Sequence, residues 1–199
     1  MSEVLLVVGG KAGAQLVSAF SEHSKLAVYD VHCAPKEEWE IVGSFVDAVS
    51  LIKDGADYFI ATGDNKVRQD HFNRLSQASG KAPCNVVHRT AVVEDEVRLG
   101  AGVLICPGAI ININATICDG AIINTSAIIE HDCFCDVFSQ VSPGATLTGN
   151  CRIGKRAFIG AGGVLLPNTS VGDDTVVGAG AVVTKNLAAN LIVKGIPAK

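Results

Sequence analysis

Aromatic residues are scarce in this chain, and neither sign of charge is in large excess. Phenylalanine, tyrosine and tryptophan make up 5% of the 199 residues, and the formal net charge at pH 7 is −4. Proteins that bind nucleic acids rely on basic patches and, for single strands, on aromatic side chains that stack against bases. The composition therefore gives no reason to expect a nucleic-acid partner.

Long apolar segments are missing at the amino-terminal end. A membrane-spanning helix needs about 20 predominantly apolar residues, whereas the first apolar run covers only residues 4–8. This run also lacks the basic start and the cleavage site of a signal peptide. None of the seven cysteines belongs to a C-x-x-C pair, which suits free thiols in a reducing compartment. These absences predict a cytoplasmic protein without a membrane span.

A period of six residues dominates the second part of the chain. From Val87 to Val183 every sixth residue is aliphatic, and only Cys135 departs from the rule. Glycine, asparagine or aspartate usually follows three positions later, and a small residue four positions later. This period fits neither an α-helix nor an isolated strand and is typical of a parallel β-helix, whose stacked coils bury one core. Corner residues that tolerate a left-handed backbone predict a triangular prism with coils about 4.8 Å apart.

A change of composition near residue 80 predicts two domains, residues 1–80 and 81–199, with a linker around residues 79–83. The first domain is expected to be a small parallel α/β unit. Its predicted strands are residues 3–8, 26–29 and 58–61, and its predicted helices are residues 14–22, 45–52 and 65–77. The dinucleotide fingerprint Gly-x-Gly-x-x-Gly is missing, which argues against a dehydrogenase.

Histidines in the repeat region are too few for a catalytic zinc site. Three imidazoles would have to converge on the metal, and only His88 and His131 lie in this region. Cys133 and Cys135 occupy inward positions of the repeat, so packing explains them better than a metal clip. We therefore expect no metal. From spacing alone, His131 is more readily explained as a solvated corner residue than as a catalytic group.

Five motifs together carry a family resemblance. They are Tyr-Phe-Ile-Ala-Thr-Gly-Asp-Asn-Lys-Val-Arg (residues 58–68), Asn-Thr-x-x-x-x-Glu-His-Asp (124–132), Phe-Ser-Gln-Val-Ser-Pro-Gly-Ala (138–145), Gly-Asn (149–150) and Gly-Ile-Pro-Ala-Lys (195–199). In this order they resemble the hexapeptide-repeat sugar acetyltransferases, which include UDP-4-amino-sugar N-acetyltransferases of the bacillosamine pathway and sialic-acid O-acetyltransferase-like proteins. The resemblance covers nearly the whole chain. It implies a left-handed β-helix preceded by a small Rossmann-like domain that binds a nucleotide-sugar.

The resemblance also implies an activity, the transfer of acetyl from acetyl-CoA to the 4-amino group of a nucleotide-linked sugar, with UDP as the expected nucleotide. The family's general base corresponds to His131, and the acid that raises its basicity corresponds to Asp132. An imidazole is suited to take the proton that an attacking amine must lose. The backbone N–H of Gly149 corresponds to the donor that faces the oxyanion.

Contacts to acetyl-CoA are assigned by the same resemblance to Gln140, Ala161 and Ala179. Gln140 departs from the family, in which a histidine often stands here, so hydrogen bonding survives but a second titrating group does not. The resemblance further implies a homotrimer that holds acetyl-CoA between neighbouring prisms. Apolar residues outside the inward set support such an interface, because a monomer would expose them. These residues are Ile110, Ile113, Ile122, Ile128 and Phe134.

The nucleotide-sugar is expected at the carboxyl ends of the parallel strands of the first domain. The candidate residues are Gly9, Gly10, Lys11, Asp30, Gly63 and Lys66. Lys11 suits a phosphate, and Asp30 suits a sugar hydroxyl or a base edge. The simpler alternatives are that Lys11 is an exposed loop lysine and that Asp30 caps a helix or loop. Three functional alternatives stay open: O-acetylation of a sialic-acid-like sugar, N-acetylation of a GDP- or dTDP-linked 4-amino sugar, and a catalytically silent sugar-binding scaffold.

Overall fold

The computed structural model describes residues 4–9, 25–29 and 40–199 of the chain. The chain divides into two compact units, residues 1–86 and residues 87–199. The boundary expected from composition, after residue 80, lies a few residues earlier in the chain.

Four parallel strands form the sheet of the first unit in the described residues. They are β1 (Val4–Val8), β2 (Lys25–Tyr29), β3 (Glu40–Ile41) and β4 (Asp57–Ile60), in the spatial order β3-β2-β1-β4. The central β1 pairs with two neighbours, so that Val7 lies opposite Val28 and Phe59. The residues Leu5–Val8 are at most 1% exposed. This burial is expected for an apolar run inside a parallel sheet.

Two helices of the first unit begin at the start signals in their sequence. Helix α1 (Phe45–Lys53) follows Ser44, whose hydroxyl accepts a hydrogen bond from a first-turn amide at 3.1 Å. Helix α2 (Asn65–Ser79) follows the capping residue Asp64 and ends at Gly80, which has a φ of 74°. Side-chain acceptors satisfy the unpaired amides of a first turn, and a left-handed glycine is a common helix end. In the described ranges no helix combines the length and the apolar character that a membrane crossing requires.

The predicted elements of this unit agree with the structure wherever residues are described. Each of them lies within two residues of the observed bounds at either end. Strand β3 is an addition, since two residues are too few to produce a periodic signal. The helix expected over residues 14–22 lies outside the described residues, and the Rossmann-like classification therefore stays a prediction.

Three parallel sheets form the faces of the second unit, and successive strands from β5 to β21 join the three sheets in turn, whereas the last strand, β22, joins the seven-stranded face. The seven-stranded face contains β5 (Val86–Val87), β8 (Leu104–Ile105), β11 (Ile122–Ile123), β14 (Gln140–Val141), β17 (Phe158–Ile159), β20 (Val176–Val177) and β22 (Ile192–Val193). The six-stranded face contains β6 (Val92–Val93), β9 (Ile110–Ile111), β12 (Ile128–Ile129), β15 (Thr146–Leu147), β18 (Val164–Leu165) and β21 (Val182–Val183). The five-stranded face contains β7 (Arg98–Leu99), β10 (Thr116–Ile117), β13 (Phe134–Cys135), β16 (Arg152–Ile153) and β19 (Ser170–Val171). The period of six thus produces the predicted three-sided parallel β-helix.

One continuous apolar core runs through this prism. The aliphatic position of each repeat points inward, and from Ile105 to Val183 these side chains are at most 2% exposed. Cys135 occupies the same inward place and is fully buried. Val87 and Val93 are 41% and 36% exposed, because the coil at the end of a stack has a neighbouring coil on one side only.

Left-handed backbone at the corners closes each turn of the prism. Most of these positions hold glycine, asparagine or aspartate, which tolerate a positive φ better than other residues. Phe138 and Arg156 adopt the same conformation with φ values of 57° and 55°. The ring of Phe138 covers Gly120, where a Cβ atom would come within 2.4 Å of ring carbons. The guanidinium of Arg156 is held by Asp174, with Nε donating to Oδ1 at 2.8 Å.

The apolar residues predicted to be exposed on a single chain behave differently from one another. Ile113 is 47% exposed, whereas Ile122 is only 6% exposed. The prediction that a single chain exposes Ile122 is therefore wrong. Its in-register neighbours on the adjacent strands, Leu104 and Gln140, stack on either side of it. The remaining three, Ile110, Ile128 and Phe134, are partly buried.

Candidate active site

His131 and Asp132 form a hydrogen-bonded pair on one edge of the prism. They lie on the corner between β12 and β13, and Asp132 has a left-handed φ of 60°. Nδ1 of His131 is 2.8 Å from Oδ2 of Asp132. Their side chains are 55% and 50% exposed. A side chain this exposed contributes little to packing, and the pair is accessible to a ligand from solvent.

The contact between His131 and Asp132 shifts the pKa of each side chain. The hydrogen bond that His131 donates to Asp132 raises the pKa of His131 above its ordinary value, and the charges of Asp132 and Glu130 act in the same direction. The pKa of Asp132 is lowered, first by the hydrogen bond from His131 and second by one from Asn114. A carboxylate at Nδ1 favours the tautomer that carries its proton there. Nε2 then holds the lone pair and is the atom that can accept a proton.

Gly149 lies against this imidazole on the next coil of the prism. A Cβ atom at Gly149 would come within 2.6 Å of Nε2 and 2.7 Å of Cε1 of His131. Any side chain here would therefore displace the ring. Among the described residues the Gly149 N–H donates to no backbone carbonyl, whereas the Gly149 carbonyl accepts a hydrogen bond from the N–H of Asn168 at 3.1 Å. The predicted oxyanion role of this N–H remains a prediction, but the glycine has a second function in making room for the imidazole.

An open cleft of about 390 Å³ lies beside His131. It is lined by Glu94, Asn112, Ile113, Glu130 and His131. Glu94 and Asn112 are residues that the sequence analysis missed. A signal for them existed, because positions 94, 112 and 130 are eighteen residues apart and therefore stack on successive coils. Two carboxylates next to a potential base give this cleft a negative character.

Two of the three residues predicted to contact acetyl-CoA, Ala161 and Ala179, lie on a different edge of the prism from His131. Ala161 and Ala179 are exposed corner residues that follow β17 and β20, and the carbonyl of Ala161 accepts a hydrogen bond from Gly180 at 2.8 Å. Gln140 lies on β14, in the same seven-stranded face. Its Oε1 atom is buried and has no hydrogen-bond partner among the described residues. Within one chain, the edge with Ala161 and Ala179 joins the seven- and six-stranded faces, whereas the edge with His131 joins the six- and five-stranded faces.

Of the predicted nucleotide-sugar residues, Gly9, Gly63 and Lys66 are described, and Gly10, Lys11 and Asp30 lie outside the described residues. Gly9 follows β1 and approaches the end of β4 so closely that a Cβ atom would be 2.6 Å from the Ala61 carbonyl oxygen. Gly63 and Lys66 are exposed in the segment that leads from β4 into α2. The structure therefore brings Gly9 next to the residues that precede Gly63.

Arg68 is a structural element of this segment that the sequence analysis did not single out. Its buried guanidinium donates to the carbonyl oxygens of Thr62 at 3.0 Å and Gly63 at 3.1 Å, and to Oδ1 of Asn65 at 2.7 Å. Burial lowers its pKa to about 10, so the group stays protonated at neutral pH. These bonds connect the segment after β4 to the first turn of α2.

The cysteines of the described residues are free thiols. Burial raises the pKa of Cys106 to about 11, and an apolar environment of this kind keeps a thiol protonated and unreactive. In the residues that the structure describes, histidine, cysteine and acidic side chains form no group of three that could hold a metal ion.

Both the sequence and the fold of this chain are similar to those of known proteins. The family model of bacterial transferase hexapeptide repeats, which spans six repeats, matches residues 150–185. Perosamine N-acetyltransferase PerB from Caulobacter crescentus, solved with CoA and GDP-perosamine, is 33% identical, with 98% of this chain and 95% of that chain covered and a TM-score of 0.88. The acetyltransferase domain of PglB from Neisseria gonorrhoeae FA1090, solved with acetyl coenzyme A, is 29% identical, with coverage of 100% and 99% and a TM-score of 0.93.

A curated relative shows the same kind of similarity over a shorter length. GDP-perosamine N-acetyltransferase of Escherichia coli O157:H7 is 33% identical over 108 residues, which are 52% of this chain and 47% of that protein. The match therefore spans about half the length of this relative.

The similarity to PerB extends over nearly the whole of both chains and so includes both units. It supports the left-handed coil that the resemblance implies. Two of the solved relatives hold CoA or acetyl-CoA, which confirms the predicted cosubstrate of the family. The chain belongs to the hexapeptide-repeat sugar N-acetyltransferases.

Proposed function

We propose that this protein transfers the acetyl group of acetyl-CoA to the 4-amino group of a nucleotide-linked sugar. The observation that carries the proposal is the pair of His131 and Asp132, whose 2.8 Å hydrogen bond orients Nε2 as a proton acceptor at an exposed corner. A catalytically silent scaffold would not need this pair. The membership of an N-acetyltransferase family points the same way.

In the proposed reaction the sugar amine attacks the thioester carbon and gives a proton to Nε2 of His131. The new C–N bond forms while the carbonyl oxygen takes up negative charge, and the N–H of Gly149 is the candidate donor to this oxygen. Collapse of the tetrahedral species breaks the C–S bond, and the imidazolium returns the proton to the departing thiolate. Asp132 favours the imidazolium during the interval between these transfers.

The carboxylates of the cleft support an amine acceptor over a hydroxyl. Glu94 and Glu130 line the same cleft as His131. Negative groups concentrate a cationic ligand near the site, and a sugar amine arrives as an ammonium ion that releases one proton to solvent before the neutral amine attacks. The hydroxyl of a sialic-acid-like sugar offers no such charge, so N-acetylation is the proposed reaction.

GDP is the nucleotide that we propose, in place of the UDP expected from the resemblance. PerB was solved with GDP-perosamine, and the Escherichia coli relative is a GDP-perosamine N-acetyltransferase. The proposed site for the nucleotide-sugar is the first unit, where Gly9 and the segment with Gly63 and Lys66 lie at carboxyl ends of parallel strands, as ligands of open α/β sheets require. Asp30, which follows β2 directly, belongs to the same proposed site.

Acetyl-CoA is proposed to lie between neighbouring prisms of a homotrimer. The separation of Ala161 and Ala179 from His131 onto different edges of one chain supports this arrangement, because two chains side by side can bring unlike edges together. The exposed side chain of Ile113 also supports an interface. Light scattering on fully active protein at micromolar concentration should give the mass of a trimer, and the mass of a monomer would contradict the arrangement.

A panel of nucleotide-linked 4-amino sugars tests the proposed function most directly. Release of CoA is measured with GDP-, UDP- and dTDP-linked sugars and with a free sialic acid, and mass spectrometry identifies the product. We expect the highest kcat/KM with a GDP-linked sugar and a product that carries one new amide. Equal or faster acetylation of a hydroxyl, or no CoA release with any amine, would contradict the proposal.

A further inference from the structure

We propose that Asn114 is a positioning residue for the catalytic base and acts through Asp132. The inference rests on the proposed function of His131 and Asp132 as base and supporting acid. Asn114 belongs to neither the five motifs nor the cleft, and its connection to the site comes from the stacking of successive coils.

The geometry places Asn114 and Asp132 on the same corner of neighbouring coils. They are eighteen residues apart and share a left-handed backbone, with φ values of 61° and 60°. The side-chain amide of Asn114 donates from Nδ2 to Oδ1 of Asp132 at 3.2 Å. The other oxygen of the same carboxylate, Oδ2, accepts from Nδ1 of His131 at 2.8 Å. Each carboxylate oxygen is therefore engaged by a different partner.

Two hydrogen bonds orient the Asp132 carboxylate more firmly than one would. The Asp132 side chain is about half exposed, so without a second partner its carboxylate could turn about its terminal torsion, which has a broad energy minimum. With Oδ1 held by Asn114, Oδ2 stays directed at the imidazole. The other edge of the ring lies beside Gly149, where any side chain would displace the imidazole. Asn114 thus acts on the direction in which Nε2 points, although it does not touch the imidazole.

An alternative explanation gives Asn114 a structural role only. Asparagine tolerates a left-handed corner, and a similar amide contact occurs farther along the same edge, where Asn150 donates to Asn168 at 2.8 Å. That contact involves neither His131 nor Asp132, so it provides a control. A purely structural role predicts that any residue suited to a left-handed corner can replace Asn114 without changing the chemistry.

Two substitutions at Asn114 separate the explanations, because glycine and aspartate both tolerate a positive φ but neither can donate a side-chain amide hydrogen bond. For Asn114→Gly we expect kcat to fall about 10-fold, in keeping with the loss of a hydrogen bond to a charged group, while both KM values stay within about two-fold. The pKa of His131 should also fall, since the carboxylate faces the ring for less of the time. In Asn114→Asp the added negative charge should instead raise the pKa of His131.

The measurements are kcat and KM across pH, and the titration of the His131 ring by NMR in the free enzyme, assigned with His131→Ala. The matched control is Asn168→Gly, which removes a corner side chain of the same edge and should change neither kcat nor the ring titration. Unchanged kcat and an unchanged His131 titration in Asn114→Gly would overturn the inference. Failure of the wild type to acetylate any amino sugar would overturn the proposed function instead, and the NMR titration would still test the coupling between Asn114 and the imidazole.

Discussion

The two units of this protein relate chemistry to stability in different ways. In the β-helix the inward positions hold the fold together, and His131 and Asp132 stand on an outward corner about half exposed. In the first unit the residues near the proposed nucleotide-sugar site also build the structure: Asp64 caps α2, and Arg68 holds the carbonyls of Thr62 and Gly63. The repetitive fold separates packing positions from the proposed catalytic residues along the sequence. The small α/β unit instead places residues of the proposed binding site next to residues that stabilise the fold.

The largest effect should come from His131→Ala. We expect turnover to fall by about 10²–10⁴, the usual contribution of a general base, with little change in the affinity for acetyl-CoA. Because the side chain is exposed, the melting temperature should stay close to that of the wild type. Steady-state kinetics and thermal unfolding of the same preparation check both expectations.

Lys185→Ala is a matched control for this substitution. Lys185 occupies the same repeat position three coils further along and is exposed, and its removal should leave turnover unchanged. Turnover near the wild-type value in His131→Ala would exclude His131 from the mechanism and would remove the main support for separate packing and chemistry in the β-helix.

Gly149→Ala should have the next largest effect. The added methyl group would lie 2.6 Å from Nε2 of His131, so the ring must move, and a displacement of about 1 Å at a reacting group can cost about 100-fold in rate. The control is Gly43→Ala, since a Cβ atom at Gly43 meets nothing within 4 Å. A full rate in Gly149→Ala, with the ring position unchanged in a crystal structure, would show that the close approach has no catalytic role.

Asp30→Ala tests the first unit. If Asp30 binds the nucleotide-sugar, loss of a hydrogen bond to a charged group costs about 1.5–3 kcal/mol, and the KM for this substrate should rise about 10-fold to 100-fold. The KM for acetyl-CoA should hardly change. If Asp30 is only a loop or helix cap, both KM values stay constant and the melting temperature falls. The two KM values and the melting temperature of one variant therefore decide between binding and capping.

The smallest effect concerns pH and the variant Asp132→Asn. The hydrogen bond and charge of Asp132 raise the pKa of His131. When the solution is acidified, the wild-type imidazole is therefore protonated, and stops acting as a base, at a higher pH than it would without Asp132. Without the carboxylate this pKa falls, and the acid limb of the kcat/KM profile should move to lower pH, with reduced turnover at neutral pH. An acid limb at the same pH in both proteins would show that another group titrates there.

Much of the fold could be predicted because its rules are local and repeated. The inward position recurs from Val87 to Val183, and a substitution such as Cys135 is recognised by its place in the series. Exposure could not be predicted as well, since it depends on neighbours from other coils. Ile122 looks exposed in the sequence but is only 6% exposed in the structure, where Leu104 and Gln140 flank it.

The candidate site was predictable where a motif marked it and not where geometry alone creates it. His131 and Asp132 are adjacent in sequence, and their pairing follows from a short motif. Asn114 and Glu94 come near them only because the chain returns to the same corner with every eighteen residues, once for Asn114 and twice for Glu94. Arg68 was overlooked for a different reason, since a buried guanidinium that binds backbone carbonyls leaves no periodic signal in the sequence.

Because Gly149 must lie close to His131, the geometry of the site depends on the number of residues between them. The two residues meet because one full turn of the prism takes eighteen residues, and each six-residue segment advances the chain by one face. Deleting six residues between them would place Lys155 beside the imidazole in place of Gly149. The prism can therefore lengthen or shorten beyond this turn by whole coils, but an insertion between His131 and Gly149 must be accommodated as a loop that leaves the count of stacked residues unchanged.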